Sequence, residues 1–148
     1  ANRRLLTMSG HQFMLKLKET ENSGRKSNEG LDLSVYSLVT DSERDIRTLS
    51  GGESFLAALA MALGLSDIAI RKAGAVHLDM MFIDEGFGTL DAQSRKQAIE
   101  VLSQLAGSER LVGIISHVDS LKTRISRKIL VTKLPSGGSQ ARIVTDDL

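Results

Sequence analysis

The most restrictive stretch of the sequence is Met80-Met81-Phe82-Ile83-Asp84-Glu85, followed by Gly86-Phe87-Gly88-Thr89-Leu90-Asp91. Met80 to Ile83 form an apolar run too short for a helix and bounded by charge and glycine, which reads as a strand buried on both faces. Such a strand sits inside a sheet covered by helices, and its carboxyl end opens into the crevice where α/β proteins bind ligands. Two adjacent acids there are costly to hold near a core unless a cation or a reacting water uses them. Nucleotide hydrolysis fits, with Asp84 holding Mg²⁺ through a water and Glu85 polarising the water that attacks a γ-phosphate. A solvated strand end explains the same acids without chemistry, so further residues have to decide.

A second stretch bears on that choice. Thr48-Leu49-Ser50-Gly51-Gly52-Glu53-Ser54 runs into Phe55 to Leu63, where Leu56, Leu59, Ala60 and Leu63 fall at helical spacing. Ser50 with Glu53 three residues on is the capping-box pattern, so a helix starts at Ser50. A capping box does not call for Gly51 and Gly52, each of which weakens a first turn by ~1 kcal/mol relative to Ala. Glycines fit if something must approach the N–H groups of the helix start, and a phosphate is the natural candidate.

The remaining chain reads as follows. Residues 1–9 resemble the end of a helix stopped by Gly10. Phe13 to Lys18 is a strand, 19–30 an exposed loop or hairpin turn, and Leu31 to Val39 an antiparallel partner strand. The charged run Asp41 to Arg47 and Arg71-Lys72-Ala73-Gly74 read as loops. Asp91 caps a helix over Ala92 to Ala106, which Gly107 ends. Leu111 to Ile115 is a second buried strand, parallel to the first, and it delivers Ser116-His117 to the edge that carries Glu85. Residues 118–125 form a short helix, Lys128 to Leu134 a strand, Pro135 to Gly138 a turn, and Gln140 to Thr145 an edge strand. A lone histidine after a strand is usually structural; a shared crevice with Glu85 would make His117 functional.

Bulk properties exclude more than they identify. The 148 residues, 41% hydrophobic and 25% charged, suit one soluble globular domain. A net charge of +1 makes no global claim on nucleic acid, and zero cysteines exclude disulfides and thiolate sites. No uninterrupted apolar run approaches the ~18 residues of a membrane span. From Lys122 to Arg142 the basic residues have no acid between them, which reads as a solvated face or a phosphate contact. The first residue is Ala1, which fits a piece of something longer or removal of an initiator.

Four motifs thus stand in fixed order: Leu49 to Glu53, Met80 to Glu85, Thr89-Leu90-Asp91, and Ile114-Ile115-Ser116-His117. Together, over residues from about 48 to 133, they resemble the signature, Walker B, D-loop and switch-histidine series of the ABC-type ATPases. Transporter subunits of that superfamily typically have a proline after the glutamate, and chromosome-organising SMC proteins have other residues there. The wording Glu85-Gly86-Phe87-Gly88-Thr89-Leu90-Asp91 resembles the SbcC family, the ATPase subunit of a DNA double-strand-break nuclease complex. No Gly-x-x-x-x-Gly-Lys-Ser/Thr loop is present, and Gly24-Arg25-Lys26-Ser27 lacks its spacing.

The resemblance implies an α/β fold, the C-terminal lobe of an ABC-type ATPase head, with parallel core strands flanked by helices and antiparallel edge strands. It implies one domain over residues 1–148, with 1–9 the end of a long coiled coil. Ser50, Gly51 and Gly52 would cap the γ-phosphate of ATP held by an opposing head, with Glu53 supporting the turn. Asp84 would serve Mg²⁺, Glu85 the attacking water, Asp91 communication between heads, and His117 the γ-phosphate as a switch. The implied partners are the N-terminal half of the head with its Walker A loop, a second head, an SbcD-type nuclease subunit and double-stranded DNA. No membrane is implied; the setting would be the cytoplasm, at the nucleoid, and the isolated chain would be inactive. A transporter ATP-binding subunit, another SMC-like ATPase and a non-catalytic interaction domain remain as alternatives.

Overall fold

The computed structural model describes residues 1–18, 32–73, 80–106 and 111–145. The chain forms two compact units, Ala1–Ile115 and Ser116–Leu148. The expected turn at 19–30, the Gly24 to Ser27 stretch and the Gly107 helix stop lie outside the described residues.

The first unit opens with α1 (Asn2–Met8), which buries Leu5 and Met8. It ends as its glycine requires: Gly10 adopts φ 64, His11 N–H donates to the Leu6 carbonyl at 2.7 Å, and Gly10 N–H to Thr7 at 3.4 Å. β1 (Phe13–Leu17), β2 (Leu33–Ser37) and β3 (Ser42–Asp45) form an antiparallel sheet in that order, with Leu15 opposite Val35 and Val35 opposite Arg44. The Asn2 side chain closes the outer edge of β1, donating to the Leu15 carbonyl at 2.8 Å and accepting its N–H at 3.0 Å. β3 and a 3-10 turn at Ile46–Thr48 replace the loop expected for Asp41 to Arg47. An edge strand needs only backbone pairing, so a polar strand shows no apolar alternation to read.

The long helix α2 (Gly51–Ala73) buries Leu56, Ala57, Leu59, Ala60 and Leu63. Arg71 to Ala73 belong to it and are not a loop, since none of these residue types breaks a helix. By length and composition Gly51–Ala69 could cross a membrane, at mean hydropathy 1.3, but those buried positions make it the core helix of this unit. Gly64 lets α1 approach: a Cβ there would lie 2.9 Å from the Ala1 nitrogen. Arg4 and Asp67 join the two helices at 2.6 Å.

β4 (Met80–Asp84) and β5 (Leu111–Ile115) pair in parallel, with α3 (Ala92–Ala106) between them in sequence. α3 packs on α1 and β5 and buries Ala98, Ile99, Val101 and Leu102. The expectation that β4 and β5 are buried on both faces is corrected. Met81, Ile83, Val112 and Ile114 are half-buried, whereas Met80, Phe82, Leu111 and Ile115 are 55–64% exposed. The register places those four on one face, and among the described residues no third strand pairs with this sheet. A run that is apolar at every position cannot say which face its own chain covers.

The second unit contains α4 (Asp119–Lys122) and the antiparallel hairpin of β6 (Arg127–Lys133) and β7 (Ser139–Thr145). Its turn uses Gly137 at φ 89 and Gly138 at φ 86, and Leu134 N–H donates to the Gly138 carbonyl at 3.1 Å. Ile129 and Ile143 face each other across the hairpin and are 70% and 79% exposed.

Candidate functional site

The start of α2 is a complete capping box. Ser50 N–H donates to Glu53 Oε2 at 2.8 Å, and Glu53 N–H donates to Ser50 Oγ at 3.2 Å. The Ser50 carbonyl takes the first helical bond, from Ser54 N–H at 2.8 Å. The other oxygen of Glu53 accepts from Arg44 at 2.9 Å, and Arg44 also donates to the Thr48 carbonyl at 3.0 Å. Partial burial of Glu53 opposes its charge, but the Ser50 N–H and the Arg44 guanidinium outweigh it and hold the carboxyl below its usual range. Arg44 is a site residue that sequence reasoning missed, because nothing in a polar edge strand marks a partner nine positions away.

The two glycines of this turn differ. A Cβ on Gly52 would lie 2.8 Å from the Thr89 carbonyl oxygen, so Gly52 is fixed by its own chain. Packing against Thr89 thus gives Gly52 a reason to be glycine that needs no phosphate. A Cβ on Gly51 would meet nothing closer than the Thr89 side chain at 3.9 Å, so Gly51 is the glycine that packing leaves unexplained. Ser50 and Gly51 are exposed. A hydroxyl that accepts an N–H keeps its own proton for another acceptor.

Asp84 ends β4 and Glu85 follows it, both exposed. Glu85 stands at φ 59 and Gly86 at φ 93, and Glu85 N–H donates to the Ile115 carbonyl at 2.9 Å. A 3-10 turn at Phe87–Thr89 follows, with Phe87 fully buried. Asp91 is the N-cap of α3: its Oδ1 accepts from Gln93 N–H at 2.9 Å and Ser94 N–H at 3.0 Å. The Ser94 hydroxyl and N–H lower its pKa. Arg95 clamps the intervening loop, donating to the Phe87 carbonyl at 3.1 Å and the Leu90 carbonyl at 2.7 Å. A groove of about 660 Å³ is lined by Ser50, Gly52, Glu53, Thr89 and Asp91 together with the end of α1. Two helix starts open on it, a setting that favours anions.

The structure therefore brings Ser50, Gly51, Gly52, Glu53, Asp84, Glu85 and Asp91 into one unit, around contacts between the start of α2 and the 85–91 loop. His117 belongs to the second unit. It is exposed, and beside it Asp119 pairs with Lys122 at 2.6 Å. Among the described residues no three His, Cys, Asp or Glu side chains converge as a metal-binding group. A single Asp84 carboxylate fits Mg²⁺, which keeps waters and takes phosphate oxygens rather than an all-protein cage.

A family model described as SbcC/RAD50-like, Walker B motif, matches residues 16–104. The chain belongs to this family. The match takes in α2, β4 and the loop to Asp91, and ends before β5 and His117. Among SbcC relatives, the SbcC chain of nuclease SbcCD from Vibrio cholerae is 46% identical over 147 residues, 98% of this chain and 14% of that protein. The SbcC chain from Staphylococcus epidermidis is 47% identical over 132 residues, 89% of this chain and 13% of that protein. The chain thus spans about one seventh of the curated relatives it matches. A chain solved for the structural biochemistry of ATP-driven dimerization and DNA-stimulated activation of SMC ATPases superposes with TM-score 0.70 at 18% identity, over 97% of this chain and 80% of that one. The SMC head domain from Thermotoga maritima gives 0.62 at 17% identity, over 99% and 46%. The fold is that of an α/β ATPase head.

Proposed function

We propose that this chain is the C-terminal half of the ATP-hydrolysing head of an SbcC-type nuclease subunit. The observation that carries this reading is the joint packing of the Ser50–Glu53 turn and the Asp84–Asp91 loop within one unit of an SbcC/RAD50-like chain. The open apolar face of β4 and β5 supports it as a half: Met80, Phe82, Leu111 and Ile115 are the kind of surface another lobe covers. That lobe is the N-terminal half of the same head, with the phosphate-cradling loop absent here.

In this reading Mg²⁺, when bound with ATP, neutralises phosphate charge. Asp84 holds it through a water, and Glu85 orients and polarises the attacking water. Ser50, Gly51 and Gly52 present a hydroxyl and first-turn N–H groups to the γ-phosphate of the opposing head, with Glu53 and Arg44 keeping the turn shaped. Asp91 sits where two heads exchange information, and His117 reaches the γ-phosphate as a switch. ATP joins two heads, hydrolysis releases them, and an SbcD-type nuclease subunit acts on double-stranded DNA ends in the cytoplasm, at the nucleoid. The 148-residue chain alone, which carries no phosphate-cradling loop, is inactive.

The test is Glu85→Gln in the full-length protein. The amide fits the same space but polarises water poorly, so ATP binding should persist while turnover falls by ~10²–10⁴-fold. Hydrolysis within a few-fold of the parent protein would remove Glu85 from this role.

A further inference from the structure

The turn that carries Glu85 is held from several sides. Glu85 and Gly86 are consecutive left-handed residues, and the first bears a side chain, a conformation that persists only where surroundings enforce it. Before the turn, Glu85 N–H is tied to the Ile115 carbonyl. After it, Thr89 Oγ1 donates to the Gly86 carbonyl at 2.7 Å, and Arg95 pins the carbonyls of Phe87 and Leu90. The remaining side is closed by Phe55 of α2. A Cβ on Gly86 would lie 2.1 and 2.2 Å from Cε2 and Cδ2 of the Phe55 ring, which therefore occupies the space a side chain would take. The same ring meets the buried Phe87 edge-on, with centroids 5.1 Å apart and planes at 65°. Phe55 lies one helical turn after the Ser50–Gly52 start, whose Gly52 rests on the Thr89 carbonyl.

We propose that Phe55 is a positioning residue for Glu85: its ring, seated on the bare Gly86, fixes the turn and couples the Glu85 carboxylate to the Ser50–Gly51 turn of the same chain. With Gly52 on Thr89 as a second point of contact, the start of α2 and the 85–89 loop move as one body. Engagement of an anion at Ser50 is then felt at Glu85 without rearrangement of the sheet. The inference rests on the role given to Glu85 above.

Steady-state ATP hydrolysis and ATP affinity of the full-length protein test it, in Phe55→Leu, Glu85→Gln and the double variant. Phe55→Leu keeps an apolar side chain while removing the ring, and should lower kcat about tenfold or more with ATP affinity within about twofold. The double variant should fall within about threefold of Glu85→Gln alone, because both losses act through one carboxylate. Multiplied losses in the double variant, or a parental kcat in Phe55→Leu beside an inactive Glu85→Gln, would overturn the positioning role alone. Parental turnover in Glu85→Gln would overturn the role of Glu85 and this inference together. A thermal melt accompanies each variant, and Phe55→Met carries the same comparison should leucine unfold the head.

Discussion

At the scale of single residues, Gly51 and Gly52 are neighbours with different reasons for being glycine. Gly52 has the Thr89 carbonyl where its side chain would be, whereas a Cβ on Gly51 would make only an ordinary 3.9 Å contact with the Thr89 side chain. Gly52→Ala should therefore loosen the first turn of α2, by overpacking worth roughly 1–3 kcal/mol against a helix-propensity gain of ~1. Gly51→Ala should leave that turn as stable or more so, yet weaken ATP-driven pairing of heads. Hydrogen exchange at Glu53 and Ser54 in the full-length protein separates the two; equal protection in both variants would contradict the packing argument. Glu53 adds a pH dependence. Its folded pKa is lowered from 4.5, so its stabilising contribution is present above that value and is lost as pH falls through the lowered folded value. Urea midpoints of the parent and Glu53→Gln should differ at neutral pH and converge in acid. A gap that persists at the most acid point would mean that charge is not what Glu53 supplies. Ser50, Glu53 and Asp91 were legible in the sequence because caps are local chemistry with fixed offsets. Arg44, Phe55 and Arg95 were not, because their partners are set by tertiary packing.

At the scale of elements, two glycines again divide. Gly86 has φ 93 and a ring against it, whereas a Cβ on Gly113 would meet the Phe82 ring at 2.5 Å. Phe82 is 64% exposed and can swing outward. Gly86→Ala should therefore cost at least about 2 kcal/mol, from the left-handed backbone and the wedged Phe55 together. In the 148-residue chain alone, where no other lobe covers β4, Gly113→Ala should cost about 1 kcal/mol or less, because its obstacle is an exposed ring. Chemical unfolding ranks them, and a larger loss at Gly113 would mean that Phe82 is held where its exposure says it is free. The elements themselves were largely readable: α2 from its spacing, α3 from Asp91, β4 and β5 from apolar runs, the hairpin of β6 and β7 from Pro135 to Gly138. β3 escaped because edge pairing leaves no apolar pattern, and the last turn of α2 because charged residues looked like a loop.

At the scale of the whole molecule, the open apolar face of β4 and β5 fits the proposal that another lobe covers it. Their open face and the one-seventh span of the SbcC relatives point the same way. In the proposed function Ser50 serves an ATP carried by another head, in addition to capping its own helix. Capping alone predicts that replacing Ser50 lowers stability by ~1 kcal/mol and does little else. The deciding measurement is sedimentation of full-length heads with and without ATP, comparing the parent with Ser50→Arg. Each Ser50→Arg head should still bind ATP, its own phosphate loop being untouched, yet ATP should no longer drive two heads together. Normal ATP-dependent dimerisation of Ser50→Arg heads would contradict the account and leave Ser50 as a helix cap.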